Sequence, residues 1–223
     1  MIYWWVCATM IPMKQTIYLI RHGNTPGTES NLMYGATELP VTEEGLREIH
    51  ERAEKGLYPS PDGAEIYTSG MLRTEQTLRA IYGDIDHRVA PQLREINVGK
   101  FEMMTVDQIL EDDYGRAWLS GELTDPHFEG GDSISGFSAR VNKGIRDVIS
   151  ECAAAGKERA ILVIHGAVIT FIMDDFFPDV SPDDVWYWTP VPGGGYRIDL
   201  EDGKPVSYEL MGDFPTGLVP GRE

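Results

Sequence analysis

Arginine, histidine and glycine stand together at Arg21-His22-Gly23, followed by Asn24 and Thr25. A guanidinium presents a planar fork of donors that suits phosphate oxygens. An imidazole can serve as nucleophile, acid or base near neutral pH. A glycine beside them permits a tight turn and close backbone approach. One short motif is a weak signal. From these residues alone, an Arg and a His that pair with carboxylates at a strand end account for the pattern equally well. Other residues able to do chemistry are spread along the chain: Ser69 and Arg73, then Glu95, then His165 with Gly166.

The elements around them can be read from hydrophobic periodicity. Residues 16–22 read as a buried strand ending in Arg21 and His22, and residues 64–68 as a second strand ending before Ser69. Thr42 is placed to cap a helix carrying Leu46, Ile49, Ala53 and Leu57 on one face. A helix is expected from Leu72 to Ile81, then a short strand near 87–90 and a loop through Glu95. The stretch 101–132 reads as irregular, with a short helix at 105–111. Phe137, Val141, Ile145, Val148 and Cys152 mark a long amphipathic helix from Ile134. Residues 160–164 read as an apolar strand and 167–177 as an apolar helix. Residues 195–200 and 205–211 read as a hairpin around Asp202-Gly203. Strands alternating with helices predict an α/β fold with a mostly parallel sheet. In such sheets ligands bind at the carboxyl ends of the strands. The two arginines, two histidines and Glu95 all follow strands and should converge there.

Composition bounds the alternatives. Of 223 residues, 42% are hydrophobic and 25% charged, which excludes a disordered chain, a coiled coil and a collagen-like fibre. No apolar run approaches the ~18 residues of a membrane span. Thirty-six acidic residues against 19 Lys and Arg give a net charge of −17. So acidic a surface repels nucleic acid and anionic lipid, and neither is expected as a partner. A small anion can still enter a local cationic pocket, because the Debye length at physiological salt is ~8 Å. Two cysteines, Cys7 and Cys152, are too few for a disulfide framework and fit a reducing compartment. Residues 1–12 are apolar with no basic residue before them, so they read as a dispensable extension, or alternatively as an ordered packed segment, rather than as a secretory signal. The cytoplasm is the expected location. One domain is expected over 1–223, and no sequence feature argues against a homodimer.

A resemblance now joins these residues. Arg21-His22-Gly23 after a strand, Thr68-Ser69-Gly70-Met71-Leu72-Arg73 through Thr77, Leu93-Arg94-Glu95 with Gly99, and His165-Gly166 look like the histidine phosphatase superfamily, the phosphoglycerate mutase-like group. Gly35, Pro40, Thr42 and Gly45 fit the same pattern, and Gly130-Gly131-Asp132-Ser133 resembles the segment before its long helix. The likeness spans residues 15–200. It implies a three-layer sandwich, a central sheet flanked by helices.

By that resemblance His22 is the nucleophile that forms a phosphohistidine. Its other ring nitrogen should donate to a fixed acceptor such as a backbone carbonyl. Arg21 and Arg73 hold phosphoryl oxygens, and His165 is a second imidazole donor. Glu95 is the general acid, protonated at working pH. Asn24, Thr25, Thr28 and Gly166 line the phosphate or substrate site. Thr28 stands where many relatives carry asparagine, and Asn24 where many carry an acidic residue or its amide. Phosphoryl transfer needs chiefly positioning and electrostatic stabilisation. These side chains can supply both, so no metal and no cofactor are expected.

The resulting expectation is a metal-independent phosphatase acting on a small phosphorylated metabolite. A phosphoglycerate mutase of the same family and a noncatalytic phosphate-binding module are the alternatives. The segment 100–135 is the expected specificity or lid region. Between Phe101 and Ser133 its only Lys or Arg is Arg116, which favours hydrolysis over mutase chemistry. His50, His87 and His127 read as surface histidines, Asp174-Asp175 as a helix end and Asp183-Asp184 as a turn rather than a metal site, and Cys152 as an inert core residue. Trp186 and Trp188 read as core aromatics, and Glu102 as structural.

Overall fold

The computed structural model describes residues 13–180 and 187–212. The expectations for residues 1–12, Asp183-Asp184 and Trp186 lie outside them. Among the described residues no helix is long and apolar enough to cross a membrane.

The central sheet has six strands in the order β4-β3-β6-β1-β7-β8. They are β1 (Lys14–Arg21), β3 (Glu65–Thr68), β4 (Arg88–Val89), β6 (Arg159–Ile164), β7 (Gly195–Glu201) and β8 (Lys204–Leu210). A separate two-stranded ribbon joins β2 (Leu32–Met33) to β5 (Met104–Thr105). β4, β3, β6 and β1 run parallel, while β7 and β8 are antiparallel additions. The β7–β8 turn is made by Asp202 at φ 51° and Gly203 at φ 73°. Positive φ at both central residues suits the right-handed twist of a hairpin, as the Asp-Gly pair predicts.

Side chains alternate across the sheet, and both faces are covered. Ile17, Leu19, Ala160, Leu162 and Ile164 face one buried cluster, and Ile20, Ile161 and Val163 face another. α6 (Ile134–Ala154) and α7 (Gly166–Phe176) pack on the first face through Phe137, Val141, Ile145, Val168 and Ile172. α2 (Glu43–Glu54) and α3 (Leu72–Tyr82) cover the second through Ile49 and Leu78. Thr42 caps α2 by accepting the Gly45 N–H at 3.0 Å. α2 ends at Glu54, so the expected Leu57 lies beyond it.

The stretch expected to be irregular is more ordered than its sequence indicates. α1 (Pro26–Glu29) follows the first motif, and α4 (Val106–Leu110) and α5 (Asp113–Leu119) occupy the later segment. Thr105 caps α4 in a capping box, and Asp112 caps α5. α4 falls within the short helix expected at 105–111, whereas α5, with 7 residues, is too short to show a 3.6-residue period. Phe101, Trp118 and Phe128 form a ring cluster with centroids 4.6–6.2 Å apart, which ties this segment into the main core.

Candidate active site

Strand register brings the site together. β1 and β6 pair with Arg21 opposite Ile164, so the next residues, His22 and His165, emerge side by side. The His22 N–H donates to the Ile164 carbonyl at 3.0 Å, and the two rings lie 5.4 Å apart edge to face. β3 and β6 pair with Thr68 opposite Val163, which puts Ser69 next to His165. Ser69 Oγ is 2.7 Å from His165 Nε2.

His22 is 3% exposed. Its Nδ1 lies 2.8 Å from the carbonyl of Gly23, so Nδ1–H donates and Nε2 keeps a lone pair. Burial, and then the charges of Arg73 and Arg21, hold its pKa well below the usual histidine range. The ring is therefore neutral, with a nucleophilic nitrogen. His165 is fully buried, and burial followed by Arg73 and His22 pushes its pKa down in the same way. Arg73 Nε–H donates to His165 Nδ1 at 3.2 Å, so the imidazole hydrogen sits on Nε2 and goes to Ser69. Sequence reasoning expected that hydrogen for a phosphoryl group.

Arg73 is fully buried on the first turn of α3. Nη2–H donates to the Gly35 carbonyl at 2.7 Å and Nη1–H to the Thr37 carbonyl at 3.0 Å. With His165 these occupy three of its five N–H groups. Arg21 donates from Nη1 to the Pro190 carbonyl at 2.8 Å, and its buried Nε has no partner among the described residues. A Cβ at Gly166 would stand 3.3 Å from that Nε, so Gly166 makes room for Arg21.

Glu95 is half-buried beside the start of α7. Oε1 accepts the Ile96 N–H at 3.0 Å and Oε2 the Ala167 N–H at 3.2 Å. Burial raises its pKa above the usual glutamate value, against those donors and the charges of Arg73 and Arg21. Arg140 of α6 holds the loop by donating to the carbonyls of Gln92 and Arg94, both at 2.8 Å.

In the turn after His22, Asn24 places its amide nitrogen 3.5 Å from Glu48 Oε2 on α2. Thr25 caps α1 through the Thr28 N–H and also gives its hydroxyl to Tyr34 at 2.7 Å. Thr28 Oγ1 is 2.6 Å from the same phenolic oxygen. Tyr34 was not picked out in the sequence. Its ring lies 6.5 Å from that of His22 and 5.3 Å from the Arg73 guanidinium carbon. Its position beside Gly35 was the available signal.

The remaining readings are structural. Glu102 binds backbone, Cys152 is buried, and Trp188 is 2% exposed. His50, His87 and His127 are exposed, and Asp175 pairs with Arg146 at 2.6 Å. Arg116 pairs with Asp113 and donates to the Leu110 carbonyl at 2.6 Å.

Residues 17–211 match the histidine phosphatase superfamily (branch 1). A 2,3-bisphosphoglycerate-dependent phosphoglycerate mutase of Beijerinckia indica is 25% identical over 211 residues, 89% of this chain and 93% of its own length. A probable phosphoglycerate mutase of Enterobacter sp. is 28% identical over 156 residues, 69% of this chain and 70% of its own. The alpha-ribazole phosphatase from Shigella flexneri superposes with a TM-score of 0.76 over 92% of this chain and 99% of its own, at 20% identity, a likeness of fold.

Proposed function

The chain belongs to the histidine phosphatase superfamily (branch 1), and on that footing we propose that it is a metal-independent phosphatase acting on a small phosphomonoester through a phosphohistidine. The observation that carries the reading is the neutral His22, its Nδ1–H fixed on Gly23 and its Nε2 left with a lone pair, in the field of the Arg73 and Arg21 charges.

The Nε2 lone pair attacks phosphorus and the ester P–O bond breaks in line. The proton on Glu95 passes to the departing alkoxide, giving a neutral alcohol and a phosphohistidine. Water then attacks phosphorus, Glu95 takes its proton, and the P–N bond breaks to release inorganic phosphate. One carboxyl serves both steps, as acid and then as base. Arg21 and Arg73 offset the charge on the phosphoryl oxygens, the main electrostatic requirement of the transfer.

Hydrolysis is favoured over mutase chemistry by charge. A mutase must retain a phosphoryl group and bind a second anionic group beside it. Arg116, the one Lys or Arg between Phe101 and Ser133, is engaged by Asp113. At the loop that carries Glu95, Arg94 is engaged by Glu38 at 3.1 Å.

The test is hydrolysis of para-nitrophenyl phosphate in excess EDTA, with His22→Ala beside the wild type. Turnover that survives EDTA and is lost in the variant supports the reading. Full activity in His22→Ala removes the nucleophile. Wild-type turnover only with a bisphosphoglycerate primer and phosphoglycerate would make the protein a mutase.

A further inference from the structure

We propose that Glu102 is a positioning residue for phosphate binding, acting on Arg73 through the backbone of residues 35–37. The inference rests on the proposed phosphate role of Arg73, and its kinetic arm on the phosphatase reading as well.

Glu102 lies just past the 3-10 turn Gly99–Phe101, far in sequence from the loop it holds. Both of its oxygens receive the Gly35 N–H, at 3.1 and 3.0 Å. Oε1 also accepts the N–H of Ala36 at 3.0 Å and of Val98 at 3.1 Å. Oε2 accepts the Thr37 N–H at 3.1 Å and the Thr37 hydroxyl at 2.6 Å. One carboxylate thus gathers three successive backbone donors into a nest, an arrangement suited to an anion. Burial alone would raise its pKa; the Thr37 hydroxyl and the N–H groups outweigh that and keep it lowered, hence ionised.

The same three residues present carbonyls on the other side. Gly35 O and Thr37 O hold the two terminal nitrogens of Arg73. Tyr34, next in the chain, lies with its ring against the guanidinium. A Cβ at position 35 would stand 1.6 Å from the Ile96 carbonyl, so only glycine lets the loop approach this closely. The loop therefore has N–H groups fixed on Glu102 and carbonyls fixed on Arg73. Displacing the first displaces the second. Arg73 is buried and cannot recover its aim from solvent.

The expected size follows from positioning: a misplacement of about 1 Å near the chemistry can cost up to ~100-fold. Glu102→Gln keeps the volume but turns N–H donors toward N–H donors. Its dissociation constant for inorganic phosphate, measured by titration calorimetry, should rise roughly tenfold or more. The KM for para-nitrophenyl phosphate should rise in parallel, while sensitivity to the leaving group stays as in the wild type. In an Arg73→Ala background the same substitution should have little further effect on phosphate affinity. A structural role alone would give independent losses in the two backgrounds.

The proposal is overturned if folded Glu102→Gln binds phosphate within a factor of two of wild type, or if its effect persists undiminished without Arg73. If Glu102→Gln does not fold, Thr37→Val carries the test by deleting only the 2.6 Å hydroxyl bond. Unchanged phosphate affinity in that variant overturns the proposal as well. The binding arm needs no turnover, so an enzyme that hydrolyses nothing would defeat the phosphatase reading and leave the role of Glu102 measurable.

Discussion

His22 and His165 leave neighbouring parallel strands one residue past the paired Arg21 and Ile164, and their rings meet at 5.4 Å. The pairing decides more than distance. Two imidazoles this close, both buried and beside two guanidinium groups, cannot both be charged at low cost. Each ring is instead assigned a tautomer by its neighbours, His22 by the Gly23 carbonyl and His165 by Arg73. The sheet register thus brings the two rings together, and the Gly23 carbonyl leaves the lone pair of His22 on Nε2.

The pH profile should reflect this. His22 must be unprotonated to attack, and its pKa is depressed, so activity should persist well below pH 6.5 before falling. Glu95 must be protonated to donate, and its pKa is raised from 4.5, so activity on esters needing an acid should fall as pH climbs through that raised value. The expected kcat/KM profile is a bell on the acidic side. A profile that rises through neutrality to an alkaline plateau would contradict both assignments.

Glu95→Gln separates acid catalysis from the rest. An alkyl phosphate leaves as a strongly basic alkoxide and should lose ~100- to 10,000-fold in turnover, the usual worth of a positioned acid. An aryl phosphate with a good leaving group should lose far less in formation of the phosphohistidine, read as the rate of phosphoryl trapping on His22. Trapping slowed equally for both esters would remove Glu95 from the first step.

The convergence of His22, His165 and Arg73 was legible in the sequence because each follows a short apolar strand, and parallel pairing carries successive strand ends to one edge. Glu102 and Tyr34 were not legible as site residues. Tyr34 lies against Arg73, and Glu102 holds the far side of the loop that binds this arginine, through backbone hydrogen bonds that leave no periodic trace. The contact of Asn24 with Glu48 is not legible either, because it depends on how α2 packs on the turn. Thr28, where many relatives carry asparagine, shares the Tyr34 phenolic oxygen with Thr25. α5 escaped because 7 residues span barely two turns.

Substrate choice should turn on Glu38. Its Oε1 holds Arg94 at 3.1 Å, and its Oε2 accepts the Leu72 N–H at the start of α3 at 2.9 Å. The charge of Glu38 acts on Arg73 and that of Arg94 on His165, so the pair stands near the proposed phosphoryl site. Its charge balance disfavours a second anionic group on the substrate, because that group must compete with Glu38 for Arg94. Glu38→Gln retains an acceptor for Leu72 but removes the competing charge. The variant should gain about fivefold in kcat/KM for 3-phosphoglycerate relative to glycerol phosphate, in line with the ~1 kcal/mol upper worth of an exposed ion pair. The gain should shrink with added salt, as a screened interaction does. A selectivity ratio unchanged from wild type would show that Arg94 does not meet the organic part of the substrate.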